Sequence, residues 1–284
     1  MNGIFLINKP AGITSHDVVY KIKKRFNLTK CGHTGTLDPF ATGLMIILVG
    51  QATRLAFMFN GLDKAYDGEV TFGKLYDTYD VTGQVLDELP VSFSEKQLKE
   101  VVSSFNKTYQ QVPPIYSAIK IGGKKAYELA RDNKDISLTA RTVNIYDFKL
   151  ISGLNNNIVS FYVDVSKGTY IRSLAYDVGV SLKTFAALKT LRRLKIGQYL
   201  LENAKTIEDV TIEDLISDYD LFADMMKVNV NDFVAKLVKN GAYLDERHTK
   251  LETPFIVVHN NKYLAYYEPV ANTAKFQPIY LFKD

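Results

Sequence analysis

Two short apolar runs in the first fifty residues constrain the fold most. Gly3-Ile4-Phe5-Leu6-Ile7 and Leu44 to Val49 are apolar at every position instead of every second one, so a strand made from either has to be buried. The first is closed by the turn-forming stretch Asn8-Lys9-Pro10-Ala11-Gly12 and the second by Gly50. Between them, Thr14 and Asp17 have capping-box spacing, and Val18, Val19, Ile22 and Phe26 fall on one face of the helix that follows. Its other face carries Lys21, Lys23, Lys24 and Arg25. The Gly- and Thr-rich stretch from Gly32 to Gly43 is therefore a loop held between a helix and a core strand, a setting that suits an active-site loop.

Further on, Tyr66 to Leu89 reads as short strands with turns at Gly73 and Gly83, and Ser94 to Phe105 has helical spacing. Val159 to Val165 alternates with period two, whereas Tyr170 to Leu182 is helical. Strands and helices do not alternate regularly, so the fold class expected is α+β, not a doubly wound sheet. After Asp224 a short helix over Phe233 to Lys239 is followed by two apolar strands flanking an Asn260-Asn261 turn. This pattern predicts a main domain over 1–224 and a small β-rich domain over 225–284, joined by the acidic segment Glu208 to Asp220.

The 284 residues, 46% of them hydrophobic, suffice for a large core. With 35 Lys+Arg against 31 Asp+Glu the formal charge is only +4, so a polyanionic partner would have to meet a local basic surface. Cys31 is alone and rules out an internal disulfide, and it offers no Cys-x-x-Cys zinc spacing with the four histidines. With no signal-peptide pattern and no apolar run of membrane-spanning length, the expected location is cytoplasmic.

The most informative segment is Lys30-Cys31-Gly32-His33-Thr34-Gly35-Thr36-Leu37-Asp38-Pro39-Phe40-Ala41-Thr42-Gly43. Alone, Asp38-Pro39 is a turn, because both residues favour turns. The segment, however, resembles the catalytic motif of the bacterial tRNA pseudouridine-55 synthases, the TruB family, at nearly every position. Four more segments match in the same order: Asn8 to Ser15, Asp63-Lys64-Ala65-Tyr66, Val112 to Lys120, and Ser166-Lys167-Gly168-Thr169-Tyr170-Ile171-Arg172. The resemblance covers residues 2 to about 200.

That resemblance implies a mixed, largely antiparallel sheet of pseudouridine-synthase type with a short PUA-like RNA-binding domain at the C-terminus. It implies an isomerase acting on uridine 55 in the T-loop of tRNA, with Asp38 as nucleophile, Arg172 paired to it, and Tyr66 stacking on the extruded base. It implies that His33 braces the opened loop, that Tyr170 and Leu191 line the uracil pocket with Asp80 beside it, and that Lys9 and Lys64 stand on the substrate side. The reaction breaks a ribose–nitrogen bond, turns the uracil and forms a ribose–carbon bond, chemistry that a carboxylate can serve and that calls for no redox step, so no cofactor and no metal are expected. Expected partners are the tRNA T-arm stem-loop and neither a membrane nor a guide RNA, and the enzyme is expected to be a monomer.

Three basic groups flank the motifs and could meet phosphates: Lys21, Lys23, Lys24, Arg25 and Lys30; Lys120, Lys124 and Lys125; Arg192, Arg193 and Lys195. Asn8, Tyr76, Phe185 and Ala187 depart from the usual family pattern and bear on the pocket wall and the RNA clamp. Two other readings are an RNA-binding folding helper, against which Asp38, Tyr66 and Arg172 together argue, and a guide-dependent relative, which would carry a fuller C-terminal domain.

Overall fold

The computed structural model describes residues 1–117, 119–131 and 138–283. Among these, ten strands form one sheet whose central path runs Ile216–Ser217, Gly3–Lys9, Thr42–Val49, Ala186–Ile196, Lys64–Phe72, Ile158–Val165, Arg141–Leu150 and Thr108–Gln111. All its strand pairings are antiparallel except that of Thr42–Val49 with Ala186–Ile196. The expected mixed, largely antiparallel α+β architecture is what forms.

The two unbroken apolar runs have a direct structural cause. In Gly3–Lys9 and Thr42–Val49, one set of side chains (Phe5, Ile7, Met45, Ile47, Val49) enters a core with Val18 and Ile22 of the helix Ser15–Arg25 and Leu174 and Val178 of the helix Ile171–Ser181. The alternate set (Ile4, Leu6, Leu44, Ile46, Leu48) packs on Phe222, Ile256, Val258, Tyr266 and Tyr280. These strands are sandwiched, so neither face can be polar. The more peripheral strand Ile158–Val165 has one buried face and alternates strictly.

The C-terminal residues form a five-stranded sheet in the order Lys227–Asn229, Phe255–His259, Lys262–Pro269, Lys275–Leu281, Leu244–Asp245. Asn260 and Asn261 both have positive φ, 50° and 61°, as a two-residue hairpin requires. Its far face has a core of its own, including Val238, Phe255, Val257 and Tyr267. The acidic segment expected to be a mere connection is more than that. Its Ile216–Ser217 pairs with Ile4 and Gly3, extending the main sheet by one strand.

One glycine fixes where the loop meets the sheet. Gly43 has φ +108°, and a Cβ there would lie 2.4 Å from the Arg193 carbonyl oxygen across the parallel pairing of Thr42–Val49 with Ala186–Ile196. Gly43→Ala is expected to cost on the order of 1–3 kcal/mol through backbone strain alone, more if the strands are forced apart. Urea denaturation measures this, and an unchanged midpoint would contradict it.

Candidate active site

Asp38 is placed by its neighbours on both sides. The Ser15 hydroxyl donates to the Leu37 carbonyl at 2.9 Å and accepts from the Leu37 N–H at 2.8 Å. The Pro39 carbonyl accepts from the Gly12 N–H at 2.8 Å and from the Lys9 ammonium at 3.2 Å. The turn 10–13 and the first residue of the capped helix thus form a cradle for the peptide that carries Asp38. The Asn8-to-Ser15 segment and the Asp38 loop, 22 positions apart at Ser15 and Leu37, are thus one unit in the fold.

Arg172, in the first turn of its helix and 6% exposed, makes two contacts with Asp38: Nε to Oδ2 at 2.9 Å and Nη2 to Oδ1 at 3.3 Å. Its remaining donors are spent on the Thr78 carbonyl at 2.9 Å and the Tyr116 carbonyl at 2.9 Å, with Asp80 at 3.6 Å from Nη1. A planar fork so occupied has one pose. Asp80, itself buried, is held by the backbone and side chain of Thr82.

About a third of the Asp38 side chain, 34%, stays open. Burial nevertheless pushes its carboxyl above the ordinary carboxylate value, opposed first by the Arg172 guanidinium and later by Lys9, with Asp80 adding to the upward push. Asp38 is the open member of a constellation whose other charges are enclosed. A partly desolvated carboxylate, steered by a fixed guanidinium, is chemically equipped for nucleophilic attack.

The other expected residues fall out as follows. Tyr66 is buried in the main core on the Lys64–Phe72 strand, paired there with Val163 and Arg193. Tyr170 caps the Arg172 helix at its start, and burial raises its phenol, with Arg141, Ser117 and Arg172 pulling the other way. Leu191 is 6% exposed and edges a groove shared with Phe40, Gly68 and Thr190. The His33 ring accepts from the Gly35 N–H at 3.3 Å and meets His16 edge-on at 6.5 Å. Burial lowers its pKa, as do His16 and Arg193, so it is neutral at neutral pH. Lys64 donates to the Leu62 carbonyl, and burial brings it down to about 8.

Two sequence expectations change. Lys9, expected on the substrate side, is fully buried and directs its ammonium at three carbonyls, those of Pro10, Ile13 and Pro39. It holds the cradle shut and meets no solvent, and burial lowers its pKa to about 8. Arg193, grouped with phosphate-facing residues, is 2% exposed and pins the loop through the carbonyls of Leu44, Thr36 and Gly35. Its neighbours Arg192 and Lys195 do reach the surface, paired with Asp67 and Asp164. Lys21, Lys23, Lys24, Arg25 and Lys30 are exposed. The side chains of Lys120, Lys124 and Lys125 lie outside the described residues.

The same architecture recurs in solved structures. One chain of a Cbf5-Nop10-Gar1 complex superposes with a TM-score of 0.68 at 23% identity, over 99% of this chain and 84% of that one. A chain of an H/ACA ribonucleoprotein bound to a substrate RNA containing 2'-deoxyuridine gives 0.66 at 24%, over 99% and 85%. At this identity the likeness is one of fold. The sequence goes further: the pattern described as TruB family pseudouridylate synthase (N terminal domain) matches residues 23–171. A protein of Acholeplasma laidlawii called tRNA pseudouridine synthase B is 54% identical over 99% of this chain and 100% of its own length. Its namesakes in Aster yellows witches'-broom phytoplasma, at 49% over 99% and 100%, and in Aquifex aeolicus, at 40% over 85% and 86%, follow. The chain is thus a pseudouridylate synthase, an isomerase of RNA uridine. It belongs to the TruB family.

Proposed function

We propose that this enzyme converts uridine 55 in the T-loop of tRNA to pseudouridine, with Asp38 as the nucleophile. Its tRNA substrate is supported by the names of relatives 54% and 49% identical along their whole lengths. The observation that carries the reading is the open carboxylate of Asp38, gripped by a guanidinium that the Thr78 and Tyr116 carbonyls hold in place. In the reaction the bond from the ribose carbon to the base nitrogen breaks, the uracil turns, and the base carbon bonds to the same ribose carbon. The proton on that base carbon leaves, and the base nitrogen ends with one.

In this reading Tyr66 and Tyr170 enclose the extruded uracil, Leu191 closes the apolar side, and neutral His33 fills the space that the base vacates. Extrusion costs a few kcal/mol and is offset by such contacts. Lys21, Lys23 and Lys24 meet the phosphates from the helix that starts at the cradle. Residues 225–284 form the short PUA-like RNA-binding domain, with Lys236 and Lys239 exposed at the end of its helix. The enzyme acts in the cytoplasm, as a monomer and without a guide RNA.

Purified protein, given a T-arm stem-loop RNA and nothing else, is expected to place pseudouridine at the T-loop uridine alone. Chemical mapping reads the product. Conversion at other uridines, or only after a guide RNA or partner protein is added, would overturn the reading.

A further inference from the structure

The segment from Tyr109 to Tyr116 is laced to the helix that carries Arg172 at four points. Tyr109 donates its hydroxyl proton to Asp177 Oδ2 at 3.1 Å. The Gln111 side chain bonds both backbone groups of Tyr170, accepting from its N–H at 2.8 Å and donating to its carbonyl at 3.1 Å. The Ser173 hydroxyl donates to the Val112 carbonyl at 2.7 Å, and Arg172 to the Tyr116 carbonyl. Tyr170, the cap residue of this helix, makes no side-chain cap bond of its own. A buried amide from another strand does the fixing instead, and Gln111 is 1% exposed.

The direction of every bond in this chain is set from one end. An ionised Asp177 can only accept, so the Tyr109 hydroxyl donates to it. The phenol oxygen is then left to accept, which it does from Gln111 Nε2 at 2.6 Å. With its nitrogen turned to Tyr109 and to the Tyr170 carbonyl, Gln111 must present its oxygen to the Tyr170 N–H. The flipped amide would set oxygen against carbonyl and nitrogen against N–H. Burial raises Asp177 to about 6 against the pull of the Tyr109 bond, so at neutral pH it remains an acceptor.

We propose that Gln111 is a positioning residue for the reaction: its amide fixes the peptide groups of Tyr170, and through them the seating of Arg172 on Asp38, with Asp177 and Tyr109 dictating which way the amide faces. Gln111 touches neither substrate nor Asp38. It acts two residues upstream of the guanidinium, where a small rotation of the first helical turn would move the fork off the carboxylate. This inference rests on Asp38 being the nucleophile.

The test uses full-length Gln111→Ala, Gln111→Glu and Tyr109→Phe, with Asp38→Asn beside them. Measured are the single-turnover rate at saturating stem-loop RNA, the RNA Kd, the melting temperature and the acid limb of the pH–rate profile. Gln111→Ala is expected to slow the saturated rate at least about tenfold, equivalent to ~1.4 kcal/mol, with Kd within twofold. Its acid limb should move to higher pH, because a displaced Arg172 no longer opposes the burial of Asp38; Lys9, Asp80 and Tyr170, the other groups facing it, are unchanged. Gln111→Glu keeps the volume and the acceptor but lacks the N–H donors, so it should shift rate and limb the same way and stands in if the alanine variant does not fold. Tyr109→Phe should do so less.

A lower melting temperature with rate and limb unchanged in the Gln111 variants would reduce the contact to ordinary packing and overturn the proposal. So would a weakened Kd with a normal saturated rate. An active Asp38→Asn would remove the underlying reading instead, so the two failures are distinct.

Discussion

Asp38→Asn is expected to fold, to bind RNA with a Kd within about twofold of the parent, and to lose at least about a thousandfold in turnover, or ~4 kcal/mol of barrier. Each clause has a separate structural cause. The peptide around residue 38 is held by Ser15, Gly12 and Lys9, none of which bonds the Asp38 side chain. An asparagine of nearly equal volume keeps an oxygen for one Arg172 donor, so the guanidinium retains its bonds to Thr78 and Tyr116. What disappears is the negative charge and with it the nucleophile, for which nothing nearby substitutes: Asp80 is 3% exposed and already committed to Thr82 and Arg172. Single-turnover kinetics decide the matter. Activity within tenfold of the parent would remove Asp38 from the chemistry.

The second large effect is expected at Arg172. A lysine keeps the charge but brings three donors on a flexible stem where five in a rigid plane served Asp38, Thr78, Tyr116 and Asp80. Arg172→Lys should therefore lower the rate about a hundredfold, ~2.7 kcal/mol, and destabilise the fold by roughly 3 kcal/mol, as breaking a buried ion-pair network does. The pH profile carries a further sign. Asp38 is active as the anion, and its carboxyl lies above the ordinary value with Arg172 as the leading influence holding it down. The parent rate should fall as pH drops through that raised value, and a weaker partner should let the limb climb. A limb that moves to lower pH, or equal rates for arginine and lysine, would contradict the assignment.

Much of this was legible in the sequence, for reasons that differ by element. The helix over Ser15–Arg25 announces itself locally, because Thr14 and Asp17 form the capping box their spacing implies. The two central strands were legible because burial on both faces removes alternation. The loop around Asp38 was legible as a loop from its glycines, but its pairing with Arg172, 134 positions away, came through family resemblance. Arg193 was misplaced because a count of basic residues does not show which guanidinium a fold will surround with carbonyls, and Lys9 because the resemblance that put it on the substrate side says nothing of the three carbonyls that enclose its ammonium. Gln111 escaped notice altogether, since a glutamine in a polar stretch carries no local sign that both its amide atoms will be spent on a distant peptide. The strand Lys227–Asn229 was missed because it is three residues long and pairs in parallel with Phe255–His259, leaving no hairpin to mark it.

The sandwiched strands also bear on how the chain folds during synthesis. Ile4 and Leu6 leave the ribosome well before Tyr266 and Tyr280, which belong to the layer that covers them. Until those residues emerge, one side of the nascent sheet presents isoleucine and leucine to solvent, on strands that are paired and unable to turn away. Contacts of such sequence separation are slow to form, and an uncovered apolar sheet face is what chaperones bind and what drives aggregation. The residues that cover this face are made long after the strands they cover, and closure of the sandwich waits for them.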